Sequence, residues 1–317
     1  MAETHKAKKP IKDSFSVLVI LMVGLVLLDT SVTQAAATRN TSSRTLRAMA
    51  RVYLAYGEYA KAQPLVEQAL NVAKENNASE SELAMCLIDL SVAYKQQGRL
   101  TEAEKACTMG LSLQQKVLYE NHPYLAYTLR ILSSIYLAEQ KYQHADDALK
   151  KAMTIMLDSH QENDKGLVPF WVDIAELLVA TQRYQEAEYY YNKAIAMLND
   201  SYGPDHLYTS NVLAGIAKLY TLQGKYTQAE QIINRAIANQ ERIYGPDHHL
   251  IASSLLTKAR ICQALGNSAE AETLIKKALS LVKGTQNTVT LAQLTQQADE
   301  IRSASRVTYG PVAKAAR

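Results

Sequence analysis

Catalysis or metal binding in this chain would have to start from His122, His206 and His248, from Cys86, Cys107 and Cys262, and from the adjacent carboxylates Asp146 and Asp147. The three histidines hold equivalent places in a recurring segment. Successive ones are therefore separated by packed helices about 8–10 Å apart, whereas ligands of one metal lie about 2 Å from it. They are expected to hydrogen-bond helix ends instead. Asp146 and Asp147 read as a solvated helix face, since acid–base work needs a pocket that these residues do not outline. Cys107 and Cys262 fall at apolar positions and read as buried packing thiols, while a Cys86–Cys107 pairing stays open on sequence alone. No nucleophile with a base, no Gly-rich phosphate loop and no metal-spaced cluster emerges, so no enzymatic activity, cofactor or metal is expected.

The cations carry a stronger signal. Arg44, Arg47 and Arg51 are spaced three and four, which puts them on one face of a helix. A guanidinium offers a planar fork to two carboxylate oxygens, so such a stripe suits an acidic partner. Lys95, Arg130, Lys218 and Arg260 fall on comparable faces of later segments, with Asp89, Asp173 and Glu176 as acidic counterweight. The competing reading is a solvated face partly neutralised by its neighbours.

The elements that position these residues are repeats. Ala62, Ala103, Ala145, Ala187, Ala229 and Ala271 close six similar segments such as Tyr56-Gly57-Glu58-Tyr59 and Gln223-Gly224-Lys225-Tyr226, and they are spaced 41, 42, 42, 42 and 42. A fixed period of this length marks stacked structural units. Before each turn stands a small residue (Ala50, Ser91, Ser133, Ala175, Ala217, Ala259). Four residues earlier comes Leu46, Leu87, Leu129, Trp171, Leu213 or Leu255, and three later Tyr53, Tyr94, Tyr136, Leu178, Tyr220 or Cys262. These offsets form one helical stripe, and the small residues let a second helix pack back on the first.

The small residue, the aromatic, the Gly-x-Tyr-x-x-Ala turn and a later Ala resemble the tetratricopeptide repeat, from about Ser43 to Val289. The 42-residue period, against the usual 34, implies eight extra residues in the second helix or the turn after it. Tyr202-Gly203-Pro204-Asp205-His206 and Tyr244-Gly245-Pro246-Asp247-His248 look like the inter-repeat turns of the kinesin-light-chain type, although Arg130, Ile131, Val172 and Ala214 replace the asparagines typical of its inner helices. The resemblance implies an all-α, right-handed α-solenoid of about six helix-turn-helix units. The units run over 43–83, 84–125, 126–167, 168–209, 210–251 and 252–289, followed by a capping helix at 290–303 with Leu291, Leu294, Ala298 and Ile301 on one face and a flexible tail at 304–317. It also implies that first-helix residues off the packing stripe line a concave groove. Arg44, Arg47, Arg51, Lys95, Tyr127, Arg130, Lys218 and Arg260 are the partner-binding candidates there. The family's carboxylate clamp is disfavoured, because Arg47, Arg51, Asp89, Tyr127 and Ile131 stand where it wants lysines, asparagines and arginine.

At the amino end Lys6, Lys8, Lys9 and Lys12 precede the apolar run Phe15 to Leu28, and Ala35-Ala36-Ala37 follows, in the order of an export signal. Fourteen helical residues reach roughly 21 Å, short of the hydrocarbon core of about 30 Å, so cleavage after Ala35 or Ala37 is preferred over a retained anchor. Residues 38–42 read as a linker. The balance of 34 basic against 31 acidic residues gives no case for nucleic acid as a partner. The functional expectation is an exported, noncatalytic scaffold, periplasmic or secreted, that binds a protein or peptide, with an acidic one favoured. The alternative is an assembly factor for an envelope complex anchored by 15–28, and a protein acting on envelope polymers ranks below both. Membrane contact is expected only through an uncleaved amino-terminal segment.

Overall fold

The computed structural model describes residues 42–159, 164–283 and 288–308. The expected export signal at 1–37, linker residues 38–41 and the tail from 309 lie outside the described residues. Thirteen α-helices follow one another: α1 Ser43–Ala55, α2 Tyr59–Glu75, α3 Glu80–Gln96, α4 Leu100–Val117, α5 Pro123–Ala138, α6 Tyr142–Ser159, α7 Val168–Ala180, α8 Tyr184–Tyr202, α9 Leu207–Leu222, α10 Tyr226–Tyr244, α11 Ala252–Ala264, α12 Ser268–Lys283 and α13 Thr288–Thr308. Single 3₁₀ turns, Lys165–Leu167 and His249–Ile251, lead into α7 and α11. There is no strand among the described residues, and no described helix is long and apolar enough to cross a membrane.

Each odd-numbered helix from α1 to α11 pairs with the next to make a repeat, and six repeats stack into a right-handed solenoid. The turn inside each repeat has one backbone solution. Gly57, Gly98, Gln140, Gln182, Gly224 and Gly266 all take positive φ, and the amide of the residue that follows, three past the helix end, donates back to the carbonyl of Tyr53, Tyr94, Tyr136, Leu178, Tyr220 or Cys262. This satisfies carbonyls that a helix end would otherwise leave orphaned. The extra length of the repeat lies in the second helices, four of which run 18 or 19 residues, whereas the first helices run 13 to 17.

The recurring alanines Ala62, Ala103, Ala145, Ala187, Ala229 and Ala271 are all buried, and so is every residue of the small column before the turn. Where that column carries a hydroxyl, a carbonyl answers it: Ser91 donates to Ile88 (2.7 Å) and Ser133 to Ala145 of the facing helix (2.8 Å). Repeats are joined by a recurring polar rung. Tyr94 Oη donates to Glu67 (3.1 Å) and Tyr220 Oη to Glu188 (2.7 Å), each from a first helix to the second helix of the preceding repeat.

The first helices begin at their caps, a few residues before the expected boundaries 84, 126 and 210. Ser79, His122 and His206 accept the orphan amides of α3, α5 and α9 and open them at Glu80, Pro123 and Leu207. The last helix spans Thr288–Thr308, so it begins before and continues past the expected 290–303 cap, and 304–308 are helix where a flexible tail was expected. It buries Leu294, Ala298 and Ile301 on the sixth repeat and is clipped to α12 by a forked Arg302–Glu272 pair at 2.9 Å.

First helices also touch the first helices of neighbouring repeats, from α1 on α3 through to α11 on α13. They therefore form the inner wall of the curve, and their side chains off the packing stripe face the space inside.

Candidate functional site

The arginines of the inner wall are mostly held by acids of the next repeat. Arg47 Nε lies 2.8 Å from Asp89 Oδ2, out of line for a hydrogen bond, and Arg130 donates to Asp173 at 3.0 Å. Arg44 reaches Glu82 at 3.4 Å from an exposed position, and Arg260 lies 3.6 Å from Glu300 of α13. Arg51 is exposed at the open end of α1. Tyr127 is at the wall's edge with its ring 5.4 Å from that of Phe170. The arginine stripe is thus largely a set of ties between successive first helices.

Lys95 of α3, Glu176 of α7 and Lys218 of α9 behave differently. Among the described residues none of the three forms an ion pair, yet the fields of both lysines reach Glu176 across the interior. Burial pulls the Lys95 ammonium below its ordinary pKa even though Glu176 and Asp173 oppose it. Burial pushes the carboxyls of Asp173 and Glu176 up, against the cations Arg130 and Lys95. Glu176 is nevertheless reached by water. Its carboxyl therefore lies in the wetted channel that the first helices curve around, within reach of the fields of Asp173, Lys95, Lys218 and Arg130. Tyr191 of α8 reaches the same region past Gly215, and its phenol is pushed up first by burial and then by Glu176 and Asp173.

At the carboxyl end the channel opens into a cavity of about 710 Å³ between Ala138 of α5, Lys218 and Arg260 on one side and Gln293, Gln296, Gln297 and Glu300 of α13 on the other. Sequence reasoning missed this glutamine face. Its signal was present in the polar residues at three- and four-residue spacing opposite the apolar stripe of α13.

The side of the channel is closed. The turn of the first repeat rests on the loop between the fifth and sixth: a Cβ at Gly57 would lie 2.8 Å from His249 Nε2 and 2.9 Å from Leu250 Cδ2. At the equivalent turn positions Gly224 and Gly266 nothing lies within 4 Å, so this contact is a feature of the whole coil and not of the repeat. Nothing in the sequence of either segment signals it.

The histidine column is explained by capping. His122, His206 and His248 each accept, at Nδ1, the backbone amide two residues on, at 3.1, 3.3 and 3.3 Å. No group of residues that could hold a metal ion occurs among the described residues. Cys86, Cys107 and Cys262 are buried free thiols, and burial pushes Cys107 up to about 12 and Cys262 up to about 11.

A family model described as tetratricopeptide repeat matches residues 82–158, 170–242 and 215–283, and a second of the same description matches 43–68. An Arabidopsis thaliana protein, kinesin light chain-related 3, is 28% identical over 116 residues, which are 36% of this chain and 18% of that protein, so the match spans less than a fifth of its length. Among solved structures, NprR in complex with its cognate peptide NprX gives a TM-score of 0.64 at 15% identity, covering 97% of this chain and 87% of the other. BtubC (BKLC) from P. vanneervenii gives 0.52 at 17%, covering 82% and 95%. At these identities the likeness is one of fold.

Proposed function

Because the chain belongs to the tetratricopeptide repeat family, we propose that it is a noncatalytic binding protein that takes an extended, carboxylate-bearing peptide segment of a partner into the channel of its solenoid. The observation that carries this reading is the unpaired set Lys95, Glu176 and Lys218 in the closed channel. Glu176 and Lys218 are exposed to water and Lys95 is half-buried, so their charges are open to a ligand, and two lysines around one glutamate leave a positive charge for it to answer. The lateral contact at Gly57 further selects a segment that threads from an end over a folded domain that would dock from the side. NprR, whose fold is similar, was solved with a peptide, and that supports a peptide as the class of ligand.

Panning the full chain against a display library of unstructured peptides tests the reading. Enriched peptides should be rich in Asp or Glu and should bind at least about tenfold more weakly, about 1.4 kcal/mol, to Lys95→Glu and Lys218→Glu variants of unchanged helicity. Enrichment of nothing, or of peptides indifferent to both substitutions, overturns it. Export by residues 1–37 belongs to the same proposal and rests on their charge and hydropathy pattern. The amino-terminal mass of the protein isolated from its host should then begin after Ala35 or Ala37, and an intact Met1 would refute cleavage.

A further inference from the structure

The contact that closes the channel is small and imperfect. On one side are Tyr56, Gly57 and Tyr59, and on the other Tyr244, His248, His249 and Leu250. Gly57 is buried there although it sits in a turn with φ of +74°. His249 Nε2 is buried without a hydrogen-bond partner and faces the Tyr56 carbonyl out of bonding geometry. An unsatisfied polar atom at a contact of a few side chains makes the contact weak relative to the core of the repeats. The chain can break it without unfolding any helix, because a solenoid's stability lies in nearest-neighbour contacts.

The same contact depends on two neutral imidazoles. The rings of His248 and His249 stack at 4.5 Å with 24° between their planes. His248 Nδ1 already accepts the Leu250 amide at 3.3 Å, so that nitrogen must carry no proton. A proton there would turn the acceptor into a donor facing a donor and remove the cap that holds Leu250 against Gly57.

We infer that the first-repeat turn is a gate on the channel, seated on the His248–Leu250 loop, and that protonation of the two histidines releases it. The inference rests on the proposed function only for its consequence, the control of peptide access, because the gate itself is a property of the chain without ligand.

The charged surroundings agree with the direction. Burial, and then the neighbouring His249, hold His248 at about 4, and burial pulls His249 down as well. Glu58 and the Tyr56 backbone carbonyl pull His249 the other way but do not outweigh burial; the other groups at the seam are Tyr208 and the phenols of Tyr56, Tyr59 and Tyr244, which burial pushes above their ordinary value. Opening wets both rings and returns them toward the ordinary value of about 6.5. The open state therefore binds more protons, and closure is complete above that value and weakens as pH falls from there toward about 4.

Nitroxide labels on the full chain at Ala55→Cys and Asp247→Cys, both exposed positions, report the seam directly. At pH 7.5 one short distance is expected. At pH 5 a second population should appear, longer by about one helix spacing, ~10 Å, with far-UV helicity unchanged. His249→Leu should weaken the pH response, and His249→Leu combined with His248→Asn, which keeps a capping acceptor for Leu250, should abolish it. Gly57→Trp, which cannot fit under Leu250, should give the long distance already at pH 7.5. A short distance in Gly57→Trp, or a distribution indifferent to pH between 7.5 and 4.5, overturns the gate. Since no ligand is present, a chain that gates normally yet binds no peptide would sink the proposed function and leave this inference standing.

Discussion

Gly215→Ala separates helix propensity from packing in a single substitution. Gly215 lies inside α9, where alanine is better than glycine by about 1 kcal/mol on helix propensity alone. The added methyl would land 2.8 Å from Tyr191 Oη and 3.0 Å from two of its ring carbons. Tyr191 is a buried core residue of α8, so its ring yields only by disturbing the side chains packed around it. Forcing a carbon into so tight a contact costs about 1–3 kcal/mol, so the net effect is a loss of about 1 kcal/mol where propensity forecasts a gain. Urea denaturation followed by far-UV circular dichroism should show a lower midpoint at constant slope. In the double substitution Gly215→Ala with Tyr191→Phe the hydroxyl contact is gone and only the ring contacts remain, so the two changes should couple favourably by at least about 0.5 kcal/mol. Stabilisation of the single variant by the full propensity term would refute the packing of α8 against α9 at this point.

Arg47→Glu should cost on the order of 3 kcal/mol of stability, because it sets a second carboxylate against the enclosed Asp89, whereas Arg51→Glu, at an exposed position that reaches Asp89 only through its field, should cost about 1 kcal/mol or less; equal effects in thermal melts would refute the tie between α1 and α3. Alkali should loosen the repeats in a defined window. The Tyr220 phenol, half-buried and donating to Glu188, is raised to about 12, so its contribution is complete below the ordinary value of about 10 and is lost as pH rises through 12. Tyr220→Phe should lower stability by about 1 kcal/mol at pH 8 and flatten the decline between pH 10 and 12; an unchanged alkaline profile would count against the rung.

Much of the fold could be read from one-dimensional pattern because a repeat is decided locally. The alanine spacing, the small column and the Gly or Gln of the turn each act within one helix pair, and the positive φ at all six turn positions shows that the same backbone solution recurs even where Gln140 and Gln182 replace glycine. The histidine caps were legible for the same reason, since their bonds span two residues. Helix starts were read a few residues late because the apolar columns begin after the caps at Ser79, His122 and His206 do their work.

The candidate site was legible only as a set of residue types. Sequence placed Arg47, Arg130, Asp89 and Asp173 on inner faces, but which cation meets which acid depends on the offset between neighbouring first helices, and that offset paired the arginines and left Lys95, Glu176 and Lys218 without ion pairs. Closure of the channel lay further still from the sequence. A small rotation from each repeat to the next has no residue pattern of its own, and only its sum over five repeats brings Gly57 onto Leu250. Sequence determined the unit, because its contacts are near neighbours along the chain. Tertiary structure decided the channel, because its walls and its seam are set by an angle accumulated over the whole array.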